Sequence, residues 1–188
     1  MNSFYTEDEL NDLGLRSYGK NVLISRKASI YGAEEISIGD NVRIDDFCII
    51  SGKNMIGSYI HISAGAYCFG GSTGIYMGDY VAVSSRTAIY AESDDYSGAA
   101  LGNSTIPNEF RNVISGKVVI GKYAMIGTGC TLLPGVTVGE GTAVGCMSLV
   151  NRSLDEWGMY VGIPCRRIKD RKKDLLDIEK EFLKRYTV

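Results

Sequence analysis

Apolar side chains return every six residues along most of this chain. From Ile38 the sequence divides into IGDNVR and IDDFCI, IGSYIH and ISAGAY, MGDYVA and VSSRTA, and later into IGKYAM, IGTGCT, LLPGVT, VGEGTA and VGCMSL. Each six opens on an apolar residue, often followed by glycine, and its fifth position is small or β-branched. A flat strand alternates its side chains between two faces, so apolar positions one and five with free variation between them do not describe one. The opening residues Ile38 and Ile56, and Ile120 and Val138, stand eighteen apart, one full turn of three sixes. A coil with three short flat sides meets this pattern: position one fills the interior, and the small fifth residue lies inside near a corner. Coils stacked ~4.8 Å apart then pair each side with the one below as a parallel ladder. A repeat of fixed period outranks any local propensity.

The repeat stops once, at AIYAESDDYSGAALGNSTIPNEFRNV (88–113), an acidic, tyrosine-bearing stretch. The expected organisation is a helical cap over 1–17, the β-helix over 18–166 with an inserted loop at 92–116, and a helix over 167–188. In the cap, TEDELNDL offers Thr6 as N-cap and Glu9 to complete a capping box. In the last segment Leu175, Leu176, Ile178, Phe182 and Leu183 fall on one stripe at helical spacing. That stripe predicts a core-facing amphipathic helix packed on the solenoid or on a neighbouring subunit.

Composition removes several classes of function. The net charge is -2 and no basic stripe precedes residue 166, so nothing marks a nucleic-acid footprint. No apolar run approaches the ~20 residues of a membrane span, and the N-terminus lacks a signal-peptide core. A cytoplasmic protein is the expectation. The five cysteines, Cys48, Cys68, Cys130, Cys146 and Cys165, form no C-x-x-C pair and are odd in number, as reduced packing residues would be.

The repeat resembles the hexapeptide-repeat acyltransferases over roughly residues 18 to 168. The resemblance implies a left-handed parallel β-helix. Because left-handed crossovers run against the general rule for parallel strands, the hand is implied by the resemblance and not by the period. The γ-class carbonic anhydrases share that fold and hold zinc with three histidines, whereas this chain has only His61. Short of three symmetry copies converging, no such metal site can be built, and none is expected. A structural rod would show long ranks of identical outward residues, and the outward positions here vary.

YVGIPCRRIKDR (160–171) resembles the family's Gly-x-Pro-Ala-lysine segment beside the coenzyme A tail. Gly162, Pro164 and Cys165 match it, with Cys165 departing from the usual alanine. By the same resemblance Arg166 and Arg167 supply cations suited to the 3′-phosphate and pyrophosphate, while Gly127 and Gly145 leave room for close approach of acetyl-CoA. The bland alternative makes these arginines solvated charges ahead of a helix.

The acceptor end departs from one branch of the family. In the maltose and galactoside O-acetyltransferases the matching segment ends in a threonine-alanine-threonine-histidine run whose histidine deprotonates a hydroxyl. Here the residues are Ala91, Glu92, Ser93 and Asp94. YAESDDYSG instead resembles acetyltransferases of surface-polysaccharide synthesis, including those acting on nucleotide-linked amino-dideoxy sugars. A hydroxyl needs a base to become a nucleophile, whereas an amine needs only to lose one extra proton. Aspartate, with an ordinary pKa of ~3.9, is a poor base for a hydroxyl, but it can attract an ammonium group, orient it and relay its proton. Asp94 is therefore the expected catalytic carboxylate, with Arg86, Tyr90, Asp95 and Tyr96 expected to bind substrate; the bland alternative is that the aspartates only cap or solvate a loop.

His61 competes for the catalytic role. It occupies position six of IGSYIH, which the repeat turns outward, and IGSYIHISAGA resembles a histidine-bearing six beside acetyl-CoA in the bacillosamine and sialic-acid acetyltransferases. An imidazole suits general-base work near neutral pH. By register, His61 ends the first side of its coil and the interruption leaves after the third side of the next. One side spans roughly 16 Å, so the two meet if the loop reaches back or if a neighbouring solenoid supplies it. The resemblance implies a homotrimer with sites between subunits, joining His61 of one chain to Asp94, Asp95 or Tyr96 of the same or the adjacent chain. The expected activity is acetyl-CoA-dependent N-acetylation of a nucleotide-linked amino-dideoxy sugar, of the dTDP-4-amino-4,6-dideoxyhexose kind, on the way to O-antigen or a related glycan. An O-acetyltransferase and a non-catalytic scaffold are the alternatives.

Overall fold

A computed structural model describes residues 3–186; the outermost ends of the expected cap (1–2) and terminal helix (187–188) lie outside the described residues. The sixes wind into a three-sided parallel β-helix. The first side stacks Ser17–Tyr18, Ile36–Ile38, Asn54–Ile56, Ile75–Met77, Val118–Ile120 and Thr137–Val138. The second carries Leu23–Ile24, Arg43–Ile44, His61–Ile62, Ala82–Val83, Met125–Ile126 and Ala143–Val144, and ends in an antiparallel hairpin of Gly158–Gly162 and Cys165–Asp170. The third runs from Ser29–Tyr31 through Tyr67–Phe69 and Ala88–Tyr90 to Leu149–Val150.

Register follows the period. Ile38 pairs with Ile56, Ile56 with Met77, Met77 with Ile120 and Ile120 with Val138, so position one becomes a continuous buried column. The fifth positions Val42, Cys48, Ile60, Ala66, Val81, Ala124, Cys130 and Val136 are buried too. Where the fifth residue is polar, its hydroxyl finds a carbonyl: Thr87 donates to Gly127 at 3.0 Å, Thr142 to Asp155 at 2.7 Å and Ser148 to Gly145 at 2.7 Å. Such pairing removes most of the cost of burying them. Cys48, Cys68, Cys130 and Cys165 are buried among apolar neighbours, and burial pushes their thiols up; Cys146 is exposed.

Each corner turns at position four, where the backbone is left-handed in every six quoted above, from Asn41 (φ 56°) to Met147 (φ 57°). Between the first and second sides this puts aromatic rings one above another. Tyr59 stacks on Tyr80 at 5.0 Å, and Tyr80 on Tyr123 at 5.5 Å; Tyr123 reaches Trp157 at 6.2 Å across the intervening Gly141. Helix α2 (Leu175–Tyr186) lies along this ladder, with Phe182 edge-on to Tyr59 at 5.3 Å and Glu179 bonded to Lys122 and Tyr123.

Two expectations at this end are corrected. Residues 167–174 are not helical, because Cys165–Asp170 pairs with Gly158–Gly162 and covers the sheet edge that the last coil would otherwise leave open. Nor is α2 core-facing: it has no buried residue, and Ile178 is 67% exposed. It rests on the solenoid through contacts that include those of Phe182 and Glu179. At the other end α1 (Glu7–Asp12) has the expected capping box between Thr6 and Glu9.

The ring ladder yields a stability prediction. At Gly141 a Cβ would stand 2.5 Å from the Trp157 ring, whereas the corner's left-handed φ is tolerated by non-glycine residues elsewhere in the ladder. Gly141→Ala is therefore expected to cost about 1–3 kcal/mol by overpacking. Urea unfolding followed by the fluorescence of the single tryptophan would measure it, and an unchanged midpoint would sink the argument.

Candidate active site

The interruption leaves the solenoid at the corner between the third side and the first. Glu92–Asp94 and Val113–Ser115 pair antiparallel as a stalk, Asp94 opposite Val113, and the coil closes behind them through Gly116 N–H to Ala91 O at 2.9 Å. Glu92 fastens the stalk by accepting from Ser72 N (2.8 Å) and Oγ (2.6 Å). Turn chemistry orders the outer loop: Asp95 accepts from Ser97 N and Oγ, each at 2.8 Å, and Asn103 accepts from Thr105. Tyr96 at the tip is 92% exposed.

Inside the hairpin lies a cavity of about 510 Å³ that Asp94, Arg111, Glu92 and Asn108 help to line. Arg111 donates from Nη2 to Asp94 Oδ1 at 2.9 Å. That hydrogen bond holds the Asp94 carboxyl below the usual carboxylate range, with the Asn103 N–H assisting against the opposing effect of burial. Asp95 is likewise held low, by its Ser97 bonds. Both carboxylates are ionised at neutral pH.

A second cluster stands along the second side. His61 opens the second side, rather than ending the first as the sixes suggested, because the turn at Tyr59 and Ile60 belongs to the corner and pairing begins at His61. Its Nε2 lies 2.8 Å from Asp45 Oδ2, and Asp45 also accepts from Arg43 Nε at 2.7 Å. Burial works against the Asp45 charge, but these bonds outweigh it and hold the carboxyl below its ordinary range. Ser84 shares this outward face, two residues beyond Ala82, the ladder partner of His61.

Above Ser84 the side continues through Gly127 and Gly145, linked coil to coil by Ser84 N–H to Ile126 O, Gly127 N–H to Val144 O and Gly145 N–H to Tyr160 O. Coil stacking already requires these glycines: a Cβ on Gly127 would meet Cys146 N at 2.6 Å, and one on Gly145 would meet Val161 Cγ1 at 2.6 Å. The hairpin turn with Pro164 tops this side, tied down by Gly162 N–H to Ser148 Oγ at 3.1 Å. Arg166 is exposed there, whereas Arg167 is engaged with Asp170 at 2.7 Å and Tyr160 Oη at 3.2 Å.

The expected site residues thus fall into two groups. His61, Gly127 and Gly145 lie along the second side, with Pro164 and Arg166 in the hairpin that ends it and Arg86 exposed at its turn into the third. Asp94, Asp95 and Tyr96 lie on the inserted hairpin, approached by Tyr90, which stacks on Phe69 at 5.2 Å. No hydrogen bond or ion pair among the described residues joins His61 to Asp94. The described residues contain no group of three metal-ligating side chains, and no helix among them is long and apolar enough to cross a membrane.

A parallel coil of sixes with a polar hairpin at one corner defines a class, and comparison with known proteins agrees: the chain belongs to the hexapeptide-repeat acyltransferases. The model of bacterial transferase hexapeptide repeats matches residues 117–152. The chain is 42% identical to the dTDP-4-amino-4,6-dideoxy-D-glucose acyltransferase of Escherichia coli, over 96% of its own length and 95% of that protein's. It is 55% identical to AntD, an N-acyltransferase from Bacillus cereus solved with dTDP and 3-hydroxybutyryl-CoA, with a TM-score of 0.98 and full coverage of both chains. AntD has also been solved with dTDP-4-amino-4,6-dideoxyglucose and coenzyme A as its S84A variant, and with dTDP and coenzyme A as its D94A and D94N variants. PerB from Caulobacter crescentus, 19% identical with a TM-score of 0.56, shares the fold.

Proposed function

We propose that this protein transfers the acetyl group of acetyl-CoA to the amine of a nucleotide-linked amino-dideoxy sugar, dTDP-4-amino-4,6-dideoxyglucose or a close 4-amino relative. The observation that carries the reading is Asp94, ionised and held by Arg111 on the inserted hairpin, where hydroxyl-acetylating relatives place a histidine. Support comes from the E. coli relative and from AntD, whose names and bound molecules describe this chemistry.

In the proposed reaction Asp94 attracts the substrate ammonium and takes its extra proton. The freed amine attacks the thioester carbonyl and forms the C–N bond. Collapse of the tetrahedral intermediate breaks the C–S bond and expels coenzyme A as thiolate. The nitrogen then loses its second proton, one proton goes to the thiolate and the other leaves through Asp94 to water. No acyl-enzyme is required, so a stable acetyl-cysteine formed from acetyl-CoA alone would argue against this course.

Ser84 joins the proposed site, although nothing in its six distinguishes it by sequence. It lies beside the Gly127 and Gly145 stretch assigned to coenzyme A, and AntD carries its variants at the numbers that are Ser84 and Asp94 here. In this reading the face with Ser84 and His61 receives the thioester, and a hairpin from the adjacent chain of a homotrimer brings Asp94 to it. The product is a cytoplasmic building block for O-antigen or a similar surface glycan. The His61–Asp45 pair favours one second reading, acylation of a sugar hydroxyl with His61 as base.

Thiol release from acetyl-CoA, measured across dTDP-4-amino sugars and their hydroxyl counterparts, separates the readings. Amide product from the amino sugars alone supports ours, ester product supports the second, and no turnover with either supports a scaffold. The shared site predicts complementation as well. Co-expressed Asp94→Asn and Ser84→Ala chains, each inactive alone, should regain about a quarter of wild-type activity, because random mixing pairs two intact halves at that frequency. Continued inactivity of the mixture would place both residues in one chain's site.

A further inference from the structure

We propose that Arg111 is a positioning residue for this acylation, holding Asp94 oriented and charged to take the proton of the substrate ammonium. The inference rests on the role given to Asp94 above and adds the residue that fixes its state.

Three features of the hairpin single Arg111 out. Its side chain is 15% exposed in a loop whose residues are otherwise mostly open to solvent. Its Nε is buried without a hydrogen-bond partner among the described residues. A guanidinium placed this way is costly unless a charge compensates it, and the carboxylate it pairs with is Asp94. The other carboxylates of the stretch are engaged elsewhere, Glu92 by Ser72 and Asp95 by Ser97 and Asn112.

The geometry leaves Asp94 able to work. An ionised carboxylate has about four acceptor positions, and Arg111 takes one of them through a single Nη2 contact. The cavity beside the pair is open for a substrate ammonium to approach the rest. A carboxylate kept well ionised by a fixed cation is a weaker base than a free one. It can balance and accept the proton of an ammonium, which leaves readily, whereas a hydroxyl proton is far beyond its reach. The arginine thereby fixes the charge and the orientation of the carboxylate that meets the amine.

The charged groups facing Asp94 are Arg111 from the returning limb and, on its own limb, Glu92 and Asp95. The last two carry like charge, and burial also favours protonation of Asp94, so removing Arg111 leaves the Asn103 N–H as the group that still holds the carboxyl low, and the Asp94 pKa rises. A depressed carboxylate pKa keeps the active ionised form present down to low pH. Raising that pKa makes the form disappear at a higher pH.

The test compares wild type with Arg111→Gln and Arg111→Lys in two measurements: kcat/KM against pH with dTDP-4-amino-4,6-dideoxyglucose, and the carbon-13 titration of the Asp94 carboxyl. In Arg111→Gln the acid limb of kcat/KM and the carboxyl titration should both move to higher pH, and kcat/KM at pH 7 should fall about 10- to 100-fold. Arg111→Lys keeps the charge, and its profile should stay close to wild type; it serves in place of the glutamine variant if that chain fails to fold, a lysine profile moved as far as free aspartate then counting against the proposal. An Asp94 titration unchanged in Arg111→Gln overturns the inference whatever the activity. A wild-type protein that acylates no amine overturns instead the proposed function, while the titration still judges the pairing.

Discussion

Asp94→Asn is expected to lower kcat with the amino sugar nucleotide by about 10²- to 10³-fold at pH 7, within the range that loss of a positioned proton acceptor produces. The substitution keeps the size of the side chain and an oxygen that can still accept from Arg111 Nη2, so the hairpin should fold as before. What disappears is the negative charge that attracts an ammonium and the basic oxygen that takes its proton. Binding of acetyl-CoA should be untouched, because Asp94 is not among the residues assigned to it, which lie on the second side and its terminal hairpin. Steady-state kinetics with thermal melting as a folding control would test this. Full activity in a stably folded variant would remove Asp94 from the chemistry and return the role of base to His61.

The same two groups of residues show what the sequence could and could not reveal. A period of six with apolar first and small fifth positions leaves one economical solution, and the buried columns beginning at Ile38 and Val42 occupy the predicted places. The capping box of Thr6 and Glu9 is local and was equally readable. The strand at Cys165–Asp170 was not, since its cause is the open edge of a coil wound from residues far away in sequence, while its charged residues lead smoothly into a helical stripe. Arg111 is illegible in the sequence for a similar reason: it meets Asp94 only because the two limbs of the hairpin run antiparallel. The sixes place His61 at the end of the first side, because they mark a repeat's phase, whereas pairing decides where a side begins and puts it at the start of the second. Ser84 carries no titratable group and sits at an ordinary second position, so proximity to Gly127 and Gly145 is the first signal of it.

Excision of residues 95–112, with Asn-Gly joining Asp94 to Val113, is expected to abolish turnover, reducing kcat/KM by at least about 10³-fold, while leaving the solenoid's Tm essentially unchanged. None of the removed residues is buried. The neighbouring coil residues Ala91 and Val118 are fully buried and stay in place, held through Gly116 N–H to Ala91 O at 2.9 Å and Val118 N–H to Gly74 O at 3.0 Å. Asp94 and Val113 are directly opposite each other in the stalk, the arrangement that a two-residue turn with Asn-Gly closes. Shortening a loop changes its closure entropy only slowly with length, so no large stability effect should come from the chain itself. The excised protein keeps Asp94 but loses Arg111, Asp95 and the exposed tip at Tyr96, so carboxylate positioning and substrate contact go together. A melting curve matched to wild type alongside absent turnover would show that the hairpin serves the reaction and not the fold. Retained turnover would mean that the outer hairpin, with Arg111, Asp95 and Tyr96, is dispensable for binding and activating the sugar.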